Sequence, residues 1–132
     1  MVCKQTAGLL RAALLGATLL PAGGYCSLAA AQSAQAAQGA ALYNTHCTLC
    51  HGADGRRGQG FGNPIWGPGQ GLGKFNTAQG LIEYIQLTMP FDNPQKMNDK
   101  EKLAVVAFLL ERNGIPLGGE LNHGSASKIS IK

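Results

Sequence analysis

Apolar residues recur with helical spacing in three stretches of this chain, separated by long runs rich in glycine and proline. Residues 38–46 hold no proline and place Gly39 and Tyr43 four apart. That predicts a short helix whose glycine lets another backbone approach closely. Residues 52–73 carry nine glycines and two prolines, an irregular loop by composition. Loops of that length are uncommon in a small domain unless they wrap something. Asn76 with Gln79 reads as a capping box, and Leu81, Ile82, Ile85 and Thr88 share a face, so a helix is expected over 77–88, ended by Pro90. A second loop runs from Met89 to Met97. Asn98 then caps with Glu101, and Leu103, Val106, Ala107 and Leu110 alternate with Val105, Phe108 and Leu109. That arc is too wide for a surface helix and predicts one buried on two sides. Asn113-Gly114 supplies a left-handed stop, and Pro116 prevents resumption. The Ser- and Lys-rich end, 123–132, reads as a mobile tail. No period-two alternation persists, so the expected class is all-α with long loops.

The first 36 residues follow another logic. Lys4 and Arg11 precede any acid, and an apolar run over 12–20 ends at Pro21 and Gly23-Gly24. A positive start, a short apolar run and an Ala-rich end form the pattern of a secretory signal. The run is well short of the ~20 residues a spanning helix needs, so no membrane span is expected in the mature chain. Ala29-Ala30-Ala31 and Ala34-Gln35-Ala36 both offer small residues for cleavage, after Ala31 or after Ala36. The expected organisation is a leader over 1–36, a domain over 37–122 and the tail. Export implies a periplasmic protein.

Composition sharpens this. The chain has 132 residues, 45% apolar and 14% charged, with a formal net charge of +4. Removing Lys4 and Arg11 leaves nine basic against seven acidic residues, a net +2. Cys3 and Cys26 leave with the leader, so Cys47 and Cys50 are the remaining cysteines. An exported domain with one cysteine pair has no disulfide framework. It is also small and poor in large side chains, so a bound cofactor is expected to complete its core.

The chemistry lies in Cys47-Thr48-Leu49-Cys50-His51, a C-x-x-C-H attachment signature of c-type haem. Cysteines three apart on a helical turn can each form a thioether with a haem vinyl group, and the following imidazole then projects at the iron. Composition alone predicts roughly 0.003 such matches. A structural zinc site would need His46 as fourth ligand, which splays away from adjacent Cys47. A thioredoxin-type pair needs a βαβ context that is missing here, and an inert disulfide is the third alternative. A phosphate loop over Gly67–Lys74 fails because Pro68 stands at a glycine position and Phe75 replaces Ser/Thr.

Gly39 and Tyr43, Cys47-x-x-Cys50-His51-Gly52, the glycine loop, Met89-Pro90 and the apolar C-terminal helix together resemble a monohaem class I cytochrome c, over residues 39–117. The resemblance implies one covalently held haem c wrapped by three or so helices. It implies that the terminal helices cross at Gly39 and Tyr43 against Val105 and Phe108. It implies that Pro64, in Asn63-Pro64-Ile65-Trp66-Gly67, offers a carbonyl to the proximal imidazole, which would fix the ring and raise its basicity. Trp66 is then expected on or near the porphyrin. Thr88-Met89-Pro90 and residues 105–116 are similar to cytochrome partners or subunits of periplasmic dehydrogenases.

The sixth ligand decides function. Thioether opposite imidazole raises the potential, whereas an open position admits small ligands. Met-Pro is how the family presents its distal ligand, so His51 and Met89 are the expected iron ligands. Met97 and His123 are the alternatives, Met97 reading better as a helix-entry anchor. His46 reads as a partly exposed side chain, and Arg56, Arg57, Lys100 and Lys102 as solvated charge. With two propionates the loaded protein is near neutral, which argues against nucleic-acid binding. The expected function is an electron carrier, not an enzyme, between a donor dehydrogenase and an oxidase or other cytochrome. The variants are a permanent haem subunit of a dehydrogenase for an alcohol or a sulfur compound, and an open-site haem protein binding peroxide, NO or CO.

Overall fold

The computed structural model describes residues 33–60 and 63–132, and the expected leader lies outside them as far as Gln32. The described residues form five α-helices: α1 (Ala34–His46), α2 (Thr48–His51), α3 (Ala78–Thr88), α4 (Asp99–Arg112) and α5 (His123–Ala126). Short 3-10 turns span Leu72–Phe75 and Pro94–Lys96. The described residues form no strand, only an isolated antiparallel bridge between Thr77 and Ser130. The class is all-α, as expected.

Helix α1 starts four residues before the pattern suggested. Ser33 takes the capping position, its hydroxyl accepting from the Ala36 amide at 3.1 Å and donating to the Glu111 carboxylate at 2.6 Å. Ala36, Gly39 and Tyr43 form the buried face of α1. Gly39 sets the packing distance, because a Cβ there would stand 1.9 Å from the Ala104 carbonyl oxygen and 2.9 Å from the Phe108 Cβ. The predicted crossing of α1 and the C-terminal helix is therefore real, and Ala104 is its nearest point rather than Val105.

Helix α4 is buried from Lys102 to Leu110. Its start is a complete capping box: Asn98 Oδ1 accepts from the Glu101 amide at 3.1 Å, and Glu101 accepts from the Asn98 amide at 2.7 Å. It ends at Gly114, whose φ of +71° suits glycine.

Three local expectations need correction. The cap of α3 is Thr77, not Asn76. Asn76 leaves the preceding 3-10 turn at φ +61°, a left-handed conformation Asn tolerates but a cap does not use. Thr77 is extended, and its hydroxyl accepts from the Gly80 amide at 3.4 Å. Lys102, read as solvated charge, is buried with 4% of its surface exposed.

Residues 123–132, read as a mobile tail, are packed. Gln35 exchanges two hydrogen bonds with the Leu121 backbone, at 2.8 and 2.9 Å. Ile129 accepts from the Ala78 amide, and Ile131 donates to Asn76, both at 2.9 Å. Leu121, Ala126 and Ile131 are buried. Apolar residues spaced by five among polar ones are too sparse to register as a pattern. Yet the Ala78 amide at the helix start needs an acceptor, and the chain end supplies it.

Two substitutions test this packing by denaturant unfolding of the purified protein. Gly39→Ala should cost about 3 kcal/mol, since backbone must move to admit the methyl. Ile131→Ala should cost about 2 kcal/mol, where a mobile tail would give no change.

Candidate functional site

Helix α1 runs directly into the motif. The Cys47 amide still donates to the Tyr43 carbonyl at 2.9 Å, and the His51 amide then donates to Cys47 at 2.9 Å. Cys47 closes α1 and opens α2, so Cys47, Cys50 and His51 occupy one helical turn that follows the long helix with no intervening loop. Both cysteines are free; Cys47 is half-buried and Cys50 exposed. Burial, and then the neighbouring Cys50, push the Cys47 thiol up to about 11. Burial lowers the His51 imidazole below its usual value, which favours the neutral ring that binds a metal. His46, in the last turn of α1, is half-buried.

The glycine loop lies against this turn. Gln59 donates to the Leu49 carbonyl at 2.9 Å and Gly60 to the Cys50 carbonyl at 2.8 Å. A Cβ on Gly58 would meet the Cys50 backbone at 2.3 Å. Asp54 organises the bend, accepting from the Arg56 and Arg57 amides at 3.0 Å and from Arg57 Nε at 2.7 Å. Those bonds, the Arg57 side chain first, hold its carboxyl below the usual range. The Tyr43 hydroxyl, buried, donates to the Gly52 carbonyl at 2.7 Å, one residue past His51.

Pro64 is half-buried, and its carbonyl accepts from the Gly71 amide at 2.9 Å. Among the described residues the His51 ring makes no hydrogen bond to it. A carbonyl has a second lone pair, so both partners are compatible. Trp66 is buried inside a core cluster: 5.0 Å from Tyr43 and 5.6 Å from Phe108 between centroids, with the Arg112 guanidinium 5.0 Å above its ring. Gly55 lies on its other side, where a Cβ would come within 2.5 Å. Asn113 ties the same loop to α4, donating to Ile65 at 3.0 Å.

Met89 leaves α3 in an extended conformation, its amide bonded to Ile85 at 3.0 Å, and it is half-buried against the core. Met97 is buried immediately before the α4 cap, as a helix-entry anchor would be. His123 is engaged elsewhere, with Nε2 3.1 Å from the Asp99 carboxylate.

These groups discriminate between cofactors. Among the described residues no three His, Cys, Asp or Glu side chains converge as a metal cluster. Two free thiols and one neutral imidazole on a single turn fit covalent haem attachment. Three features escaped the sequence reading: the Tyr43 hydroxyl bond, the enclosure of Trp66 by aromatic rings, and buried Lys102.

Residues 34–109 match the family described as cytochrome c oxidase, cbb3-type, subunit III. Thiosulfate dehydrogenase from Allochromatium vinosum is 35% identical over 82 residues, which cover 54% of this chain and 29% of that protein. The chain thus spans under a third of that relative's length. The crystal structure of the sulfane dehydrogenase SoxCD from Paracoccus pantotrophus superposes with a TM-score of 0.58 at 24% identity, over 72% of this chain and 52% of that one. At that identity the likeness concerns the fold.

The Tyr43 phenol is raised above its ordinary value of 10.0, mainly by burial, then by the charges of Cys47 and Asp54. Its contribution to stability is therefore complete well below the unfolded value and is lost as pH rises from there through the raised folded value. Tyr43→Phe should cost about 1 kcal/mol at neutral pH by removing one of the two hydrogen bonds to the Gly52 carbonyl, the other coming from the Gly55 amide at 3.1 Å. Unfolding measured from pH 7 to 11 should show a shallower alkaline decline in the variant than in the parent.

Proposed function

This chain belongs to the cytochrome c family represented by subunit III of cbb3-type cytochrome c oxidase, with haem c as its cofactor, and on that premise we propose that it carries single electrons between a dehydrogenase and an acceptor protein. The observation that carries this reading is the Cys47–His51 turn, which follows α1 directly and is pinned by the glycine loop. The bound group supplies a one-electron ferric–ferrous couple; the protein holds it and sets its surroundings.

In this reading Cys47 and Cys50 form the thioethers, His51 is the proximal ligand and Met89 the distal one. Pro64 offers its second lone pair to the imidazole, and Trp66 stiffens that side from within the core. Docking occurs where the thioether edge near exposed Cys50 reaches the surface, in a small and transient encounter. The acceptor is an oxidase or another cytochrome.

The donor we favour is a dehydrogenase acting on a sulfur compound, because a thiosulfate dehydrogenase is 35% identical to this chain over 82 residues. That same likeness favours a second reading, in which the chain is a permanent haem subunit of such an enzyme. Lys4, Arg11 and the short apolar run support export to the periplasm. No helix among the described residues is long and apolar enough to cross a membrane. Processing after Ala31 leaves the Ser33 cap in place, whereas a cut after Ala36 removes it together with a buried residue.

Absorption spectra of the oxidised protein test the ligand set. His51→Ala should abolish stable haem-loaded protein. Met89→Ala should keep the haem attached and lose the weak far-red sulfur-to-iron band. A high-spin spectrum in the unsubstituted protein would instead support an open site that binds peroxide, NO or CO. Co-purification of a dehydrogenase in fixed stoichiometry would favour the subunit over the shuttle.

A further inference from the structure

In an α-helix each carbonyl accepts from the amide four residues on. At the end of α3 the Ile85 carbonyl receives the Met89 amide at 3.0 Å. The Gln86 carbonyl would look to residue 90, which is proline and has no N–H to give. A side chain from another helix answers instead: Lys102 Nζ donates to the Gln86 carbonyl at 2.8 Å.

Lysine is seldom buried without a partner. Lys102 is the charged side chain that burial claims among the described residues. Burial lowers its pKa, and Asp99 opposes that shift from one turn earlier on α4. An ammonium at the C-terminal end of α3 also meets the negative end of that helix. The Gln86 side chain is held as well: its amide donates to Asp99, whose carboxylate also faces His123. Both ends of Gln86 are therefore tied to the first turn of α4, three residues before Met89.

We propose that Lys102 is a positioning residue for the distal ligand: by donating to the carbonyl that Pro90 leaves without a partner, it fixes the last turn of α3 and hence the point from which Met89 is presented to the iron. The proposal rests on Met89 being that ligand. Without the ammonium, a part-buried carbonyl loses its donor and the turn is free to fray, so an added ligand displaces Met89 more easily.

The test uses the haem-loaded full chain, with imidazole titrated into the ferric protein and the far-red band as readout. Lys102→Met keeps the apolar stem of the side chain and removes its donor. It should bind imidazole about tenfold more tightly than the parent, the scale of one hydrogen bond from a charged donor. Leu110→Ala, a fully buried site two turns along α4, controls for general loosening and should leave imidazole affinity unchanged. An unchanged affinity in Lys102→Met overturns the proposal, and so does an equal shift in Leu110→Ala. If Met89→Ala keeps the far-red band, the ligand assignment falls and the proposal falls with it. If Met89→Ala loses the band while Lys102→Met matches the parent, only the role of Lys102 falls.

A second measurement needs no substitution and decides the matter should Lys102→Met fail to fold. Acetic anhydride at low ratio labels lysines, and peptide mass spectrometry reads each position. Lys102 should label more slowly than exposed Lys96 and Lys100, and about fivefold faster once saturating imidazole has displaced Met89, because coupling between the two sites is reciprocal. Equal Lys102 rates with and without imidazole overturn the proposal.

Discussion

The backbone of α1 lies against the backbone of α4 at Gly39, and the rest of the molecule is arranged around that approach. No side chain fits between Gly39 and the Ala104 carbonyl. One turn further along α1, Tyr43 fills the next gap, touching Phe108 and Trp66 and bonding to Gly52. The cysteine turn follows without a linker. A reactive turn built directly onto a packed helix inherits its rigidity, whereas one on a free loop would have to be ordered separately.

Helix α4 holds both sides of the site from its two ends. Its C-terminal turn takes the loop of Pro64 to Trp66 through Asn113 and Arg112. Its N-terminal turn takes the end of α3 through Lys102 and Asp99. The glycines between work by having no side chain: Gly55 lets Trp66 lie flat on the chain, and Gly58 lets the loop touch the Cys50 backbone. The abundance of glycine in a chain that needs a dense core follows from such contacts, where backbone packs on backbone or ring.

The all-α class, the three long helices, the α1–α4 crossing and the role of Met97 as an anchor were readable because each rests on a local pattern: helical period, caps, Gly and Pro punctuation. The cysteine turn was readable because its spacing carries its chemistry. What escaped depended on partners distant in sequence. Asn76 and Thr77 both suit a cap, and only the backbone turn before them decides between the two. Lys102 looks like any surface lysine until the missing amide of Pro90 is counted, a signal present in the sequence but legible only with α3 and α4 side by side. The docked chain end follows the same logic: Ile131 stands alone among polar residues, and its value comes from a helix start some fifty positions earlier.

The placement of α4 has a consequence for the order in which the molecule can assemble. Ribosomes make the cysteine turn early, about fifty residues before the helix that α1 packs against, and Leu121 and Ile131 come later still. The α1–α4 contacts that close the core therefore span a large fraction of the chain, and that crossing forms only once α4 has been made. Throughout that interval the two thiols lie on a segment with nothing yet to pack on, open to whatever joins them to their cofactor.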